Sequence, residues 1–330
     1  MSLNKKLLDK TFRLEPTTRV PVGFWLHLIP EAEIGDAVMN PSLKDDSVAA
    51  HRTFILEVRP DFVKTMSDGF FFYPSGGVPA ERLAPADLKA ADVSDPWIAG
   101  QVEVQARVRE TDPDIPYFFN IFSPLTSLRF LVGRERLSAL LREDPDGVSA
   151  ALGRMGEGLS VLARELVREA GADGIYLSVQ NPDRDAFGSD FYRTRVSPSE
   201  VAVLDAVRAA GGRSILHVCG YSGVRNRLED FAAYPADAIS YARTVEGVSF
   251  PKARAIFPNR ALVAGFANTA GSVIHKGSRA EVEAETARIM NEAQGLNGIV
   301  IGADCTVPSD IELERLGWVR EAANRKALRA

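Results

Sequence analysis

Two cysteines and four histidines are the chain's whole stock of thiol and imidazole groups, and three of them fall in two short segments. His217 and Cys219 stand two apart in Leu216-His-Val-Cys-Gly220; Cys305 lies far along the chain in Gly302-Ala-Asp-Cys-Thr-Val-Pro308. At the end of a strand, His-x-Cys places both side chains on one face of the pleat. A third soft ligand from Cys305 would complete a Cys2His set for zinc, with the fourth tetrahedral position open as in catalytic rather than structural zinc sites. The chemistry that wants such a position is thiol activation, because a metal-bound thiol loses its proton at neutral pH and becomes a nucleophile. The same cysteines would also serve as small buried hydrophobes, and spacing alone leaves both readings open.

Something must carry position 219 to position 305. Short β-type apolar runs occur at Val20–Leu26, Phe62–Met66, Tyr117–Phe122, Gly174–Val179, Ser214–Val218, Ala238–Ser240, Ala261–Phe266 and Gly298–Ile301. Several are apolar on successive residues, as parallel strands buried on both faces require. Between them lie segments of helical period: Ser47–Val58, Pro145–Ala170, Pro198–Ala210 and Ser278–Ala293, the last opening with Ser278 and Glu281 in a capping-box pattern. Eight alternations predict an α/β fold, a single (β/α)8 TIM barrel forming one domain over residues 1–330. An open α/β sheet satisfies the same pattern. Met1–Lys10 reads as a short N-terminal helix rather than a secretory leader. Asp68–Pro96, with Gly76-Gly77 and four prolines, reads as a long active-site loop or lid.

In such a barrel the functional groups project from the C-terminal strand ends. Those ends carry His27, Ser67-Asp68, Asn120, Gln180, His217 to Cys219, Asn268 and Asp304-Cys305. The fifth and eighth strands are three apart in the ring, so the metal ligands must lean together over the mouth. Asp68 and His27 are the catalytic candidates; a turn aspartate and a hydrogen-bonded structural histidine are their plainer alternatives. Trp25, Asn120, Gln180, Tyr192, Tyr241 and Asn268 are the candidate substrate contacts. Trp25, His27 and Phe70-Phe71-Phe72-Tyr73 would surround the mouth with aromatic surface, suited to a flat ligand or to plain packing. His51 and His275 carry no signal.

Composition narrows the function classes. With 39 Lys+Arg against 44 Asp+Glu the net charge is −5, the wrong sign for a nucleic-acid coat. No apolar run approaches the roughly 18 residues of a membrane span, and two thiols make no disulfide framework, so a cytoplasmic, reducing location is expected.

The chain resembles the uroporphyrinogen decarboxylase superfamily along most of its length. The residues that carry this are Arg19-Val-Pro-Val22, Ser67-Asp68, Ser123-Pro-Leu-Thr126, Gly171-Ala-Asp-Gly174 and the two Cys segments. His-x-Cys followed by a distant Cys-x-x-Pro is similar to the zinc site of the methylcobamide:coenzyme M methyltransferases. The resemblance implies one zinc per chain, held by His217, Cys219 and Cys305. It also departs from the true decarboxylases. Their Arg-Gln-Ala-Gly-Arg-Tyr stretch is replaced by Phe24-Trp-Leu-His-Leu-Ile-Pro30, and their closing Gly-His-Gly by Ala303-Asp304-Cys305. Without those arginines a substrate with many carboxylates loses its bidentate partners. Asp68 does match the central aspartate of the decarboxylases.

No Asp-x-His-x-x-Gly segment, the pattern of cobalt-ligating corrinoid proteins, occurs in the chain, and neither does a phosphate-cradling glycine loop. A corrinoid would therefore arrive on a separate protein or free. The leading expectation is a zinc-dependent methyltransferase moving a methyl group between a corrinoid or other donor and a thiol. A metal-free carboxy-lyase using Asp68 and a non-enzymatic corrinoid or tetrapyrrole carrier are the alternatives. A homodimer is the expected assembly.

Overall fold

The computed structural model describes residues 2–30, 36–180 and 188–327. Seven of the eight apolar runs form strands, which pair in chain order into one curled parallel sheet. They are β1 (Val63–Thr65), β2 (Tyr117–Phe122), β3 (Gly174–Val179), β4 (Arg213–Val218), β5 (Ala238–Tyr241), β6 (Ala261–Phe266) and β7 (Ile299–Ala303). Helices connect them. Those over Ser42–Val58, Pro145–Arg168, Ser197–Ala209 and Arg279–Glu292 follow the predicted helical segments, and Ser278 and Glu281 form the expected capping box.

The first run departs from expectation. Val20–Leu26 is extended but does not form an eighth strand, so the full eight-stranded barrel is reduced to seven strands plus a bridged segment. Val22 bridges Ile301 in parallel, with Gly23 N–H donating to Ile301 O at 3.0 Å and Ile301 N–H to Pro21 O at 2.9 Å. On the other side only Asp61 N–H reaches Val22 O, at 3.1 Å. The reason is local. Pro21 has no N–H to give, and the Val22 N–H is taken by the Asp61 carboxylate at 2.9 Å instead of a strand carbonyl. The same carboxylate, 1% exposed, accepts both arms of Arg19 at 2.5 and 2.6 Å and Arg320 Nε at 3.1 Å. Position 23 must be glycine, because a Cβ there would lie 2.1 Å from Phe62 Cε1.

Strand alternation divides the apolar residues into two sets. Phe62, Met66, Phe118, Tyr176, Ile215, Ala238, Val263 and Val300 pack with Trp25 inside the curl, joined by Leu8 and Phe12 from the helix Leu3–Phe12. Ile175, Leu177, Leu216, Val218, Ile239 and Tyr241 belong to the larger core under the helices. The 68–96 excursion is fastened down over its later part: Arg154 donates to Pro85 O and Leu88 O, and the Tyr73 hydroxyl bridges Lys89 O and Ala91 N. Among the described residues no helix is long and apolar enough to cross a membrane.

Candidate metal centre

Cys219 is the first residue past β4 and Cys305 the second past β7, and the curl of the sheet brings them together. Their sulfurs are 3.5 Å apart, and with a His217 ring nitrogen the three ligand atoms lie within 4.8 Å of one another. Two sulfurs each about 2.3 Å from a tetrahedral ion would stand about 3.8 Å apart, so the spacing suits shared coordination. Neither cysteine is in a disulfide; Cys219 is buried and Cys305 half-buried.

The imidazole is set up by its neighbours. His217, 1% exposed, meets Ser240 Oγ through Nδ1 at 2.9 Å, while its Nε2 is buried with no hydrogen-bond partner. Burial holds the Tyr176 hydroxyl well above its ordinary pKa, so it stays protonated and donates to Ser240 Oγ at 2.7 Å. In the tautomer that carries its proton on Nδ1 and donates it to that oxygen, Nε2 offers a bare lone pair. A buried acceptor without a partner costs about 1–3 kcal/mol; a metal held by His217 and the two cysteines would remove that cost. This is the arrangement by which a supporting hydroxyl fixes tautomer and ring orientation in metal-binding histidines.

The two cysteine loops are held by their backbones. Cys219 N–H donates to Val179 O at 3.0 Å, and Cys219 O accepts from Asn226 Nδ2 at 3.0 Å. Glu246 in turn accepts from Asn226 N–H and Nδ2 at 2.9 and 2.8 Å. Gly220 permits the approach, since a Cβ there would be 2.8 Å from Ala242 Cβ and 3.0 Å from Val245 Cβ. On the other side Asp304 N–H donates to Phe266 O at 2.8 Å, and its carboxylate accepts from the Thr244 amide at 3.1 Å and the Thr244 hydroxyl. Burial raises the Asp304 pKa. Asn268 Nδ2 donates to Thr306 O at 2.8 Å, tying the loop after β6 to the one that carries Cys305.

The two thiols share one hydrogen bond. A hydrogen bond from Cys219, assisted by the charge of Lys64, holds the Cys305 thiol well below its usual range. The same hydrogen bond, together with burial, pushes Cys219 up. Metal binding replaces this shared proton with a divalent charge.

His27 and Asp68, selected separately in the sequence, are hydrogen-bonded to each other. Asp68, 2% exposed, accepts from His27 Nδ1 at 2.9 Å and from Leu28 N–H at 3.0 Å. A carboxylate only accepts, so the neutral ring carries its proton on Nδ1 and offers Nε2 as a base. Phe71 packs against His27 at 5.7 Å between ring centroids and leads into a cluster with Phe122 and Phe130. Asn120 lies in a buried belt, donating to Ser67 Oγ at 2.9 Å and accepting from Ser178 Oγ at 2.8 Å. Gln180 accepts from Arg129 at 2.6 Å. Trp25 packs on Tyr176 and His217, at 5.1 and 6.2 Å between centroids, as a wall behind the imidazole.

Tyr192 and Tyr241 are not brought to this cluster. The Tyr192 hydroxyl donates to the Glu200 carboxylate within the helical layer. Tyr241 follows Ser240 on β5 and faces the opposite side of the sheet, against Phe250. His51 receives Met66 N–H at Nε2, and His275 meets Asp310. A cavity of about 430 Å³ opens at the N-terminal rim, lined by Thr17, Arg19, Asn291 and Asn297 among others, with no histidine or cysteine. The sequence reading missed Lys64, Ser240 and Tyr176. Lys64 did leave a signal, as a charged residue inside the apolar run Phe62–Met66.

No protein-family model matches the chain, and no curated protein matches it in sequence. Among solved structures it is similar to a methyltransferase from Methanosarcina mazei, at a TM-score of 0.71 and 19% identity over 99% of each chain. It is also similar to a β-mannanase from the blue mussel Mytilus edulis, at a TM-score of 0.52 and 11% identity over 93% of this chain and 92% of that one. At such identities likeness speaks for the fold, which hosts unrelated chemistries. The chain is thus an α/β protein that shares its fold with that Methanosarcina mazei structure and carries a His/Cys/Cys cluster able to hold a metal.

Proposed function

We propose that this protein is a zinc-dependent methyltransferase that moves a methyl group between a corrinoid or other donor and a thiol, the corrinoid arriving on a separate protein or free. The observation that carries the reading is the convergence of His217, Cys219 and Cys305 around one point, with an unpartnered imidazole nitrogen among them. The likeness to the Methanosarcina mazei methyltransferase supports it. Zinc in that position would lower the pKa of an incoming thiol and leave one coordination site for it.

The chain's own residues supply the rest. Ser240 and Tyr176 hold the imidazole in its ligating tautomer, and the Asn226 and Asp304 networks fix the sulfurs in place. Asp68 orients His27 so that Nε2 takes the thiol proton at the mouth. The thiolate sulfur then bonds to the methyl carbon as the carbon–donor bond breaks, its electron pair staying with the donor. Phe71, Phe122 and Phe130 offer an apolar surface beside His27 for the donor. The carboxy-lyase alternative needs Asp68 aimed at substrate, whereas both its oxygens are engaged by His27 and Leu28.

The test is turnover. Zinc-loaded protein with methylcobalamin and a panel of small thiols should show loss of the carbon–cobalt absorbance and formation of a thioether, both abolished in Cys219→Ser and Cys305→Ser. Wild-type activity in both cysteine variants would overturn the reading.

A further inference from the structure

Lys64 is a buried group that the chemistry above does not use. It sits in the middle of β1, 5% exposed, flanked along the inner face by Phe62 and Met66. Among the described residues its ammonium makes no hydrogen bond and no ion pair. It faces the rings of Tyr176 and Trp25 instead, at 4.2 and 5.2 Å from their centroids. Those two rings also flank His217, at 5.5 and 6.2 Å. Cys305 and Asp68 act on its charge in the direction that favours the ammonium. A cation thus stands on the two rings that also flank the imidazole.

Burying an ammonium without a counter-ion is unfavourable, and aromatic faces recover only part of that loss. The charge count of the centre supplies a reason for it. Two thiolates, a neutral imidazole and a divalent ion sum to zero, and a third thiolate entering the open position brings the total to −1. We infer that Lys64 is the counter-cation for that last charge, a positioning residue that makes the centre favour an anionic sulfur ligand over a neutral one. The inference rests on the zinc reading.

Cobalt(II) in place of zinc makes the test optical. Wild type, Lys64→Met and Lys64→Arg are loaded with cobalt and titrated with 2-mercaptoethanol, whose thiol is its only ionisable group, and separately with imidazole. Lys64→Met should bind 2-mercaptoethanol about 10- to 100-fold more weakly, the scale of one charge pair in a buried site. Imidazole, being neutral, should keep its affinity within about twofold, and Lys64→Arg should recover most of the thiol affinity. Metal-free Lys64→Met should melt at a higher temperature than wild type, because an unpaired buried charge is gone. Unchanged 2-mercaptoethanol affinity in Lys64→Met, or equal weakening of both ligands, overturns the inference while leaving the metal site standing. Failure of wild type itself to take up cobalt or zinc overturns the zinc reading and the inference with it.

Discussion

Ser240→Ala isolates the device that presents His217 to a metal. The Ser240 oxygen meets His217 Nδ1 at 2.9 Å and accepts from the Tyr176 hydroxyl at 2.7 Å, and all three residues are buried. Removing it strands two buried polar groups at once. At about 1–3 kcal/mol each, the metal-free protein should lose about 2–6 kcal/mol, a fall in Tm of about 3–9 °C for a chain of this size. The imidazole also becomes free to turn or to move its proton to Nε2, and loss of such a supporting partner weakens metal binding about 10- to 100-fold. Calorimetry of the metal-free variant measures the first effect, and competition against a chromophoric zinc chelator the second. Wild-type zinc affinity in Ser240→Ala would refute the claim that Nδ1 anchoring leaves Nε2 for the ion.

Four further outcomes follow from the geometry. Asp68→Asn should leave zinc content unchanged but lower the rate of thiol methylation about 100-fold, the usual scale of a positioned proton acceptor; equal kcat would remove His27–Asp68 from the chemistry. Burial depresses Lys64 from 10.5 to about 8, so its charged form destabilises the metal-free fold below pH 8, and the penalty fades as pH rises toward 10.5. Lys64→Met should therefore exceed wild type by about 3 kcal/mol at pH 7, with the gap closing by about pH 10.5 in denaturant titrations; a pH-independent gap contradicts this. Gly220→Ala forces a Cβ to 2.8 Å from Ala242 Cβ; it should destabilise by about 1–3 kcal/mol and weaken zinc binding by shifting Cys219, and a neutral result would show that the loop yields. Asp61→Ala strands Arg19 and Arg320 at the junction of Val22 with β1; it should lower unfolding free energy by about 3–5 kcal/mol, a loss that urea denaturation would detect.

The sequence made the strand order legible because parallel strands buried on both faces leave unbroken apolar runs such as Tyr117–Phe119 and Ile299–Ile301. It misjudged Val20–Leu26 because a run of the right composition says nothing of hydrogen bonding, and here Pro21 and the Asp61 carboxylate displace the ladder. The His217, Cys219 and Cys305 grouping was visible from residue type and strand-end position. Their supports were not: Ser240 and Tyr176 reach His217 through the register of three neighbouring strands, which no single run encodes. Tyr241 shows the same limit from the other side. It stands at a strand end, yet alternation turns it away from its neighbour Ser240 and toward the helices.

The central claim is that one divalent ion sits among His217, Cys219 and Cys305 with a coordination position to spare. X-ray absorption on protein prepared in excess zinc and then desalted tests it directly. The expected result is one zinc per chain, with two sulfur neighbours at about 2.3 Å and nitrogen or oxygen neighbours at about 2.0–2.1 Å, lost in Cys219→Ser and Cys305→Ser. Protein free of zinc after that preparation, or a zinc signal with no sulfur in its first shell, would contradict the account.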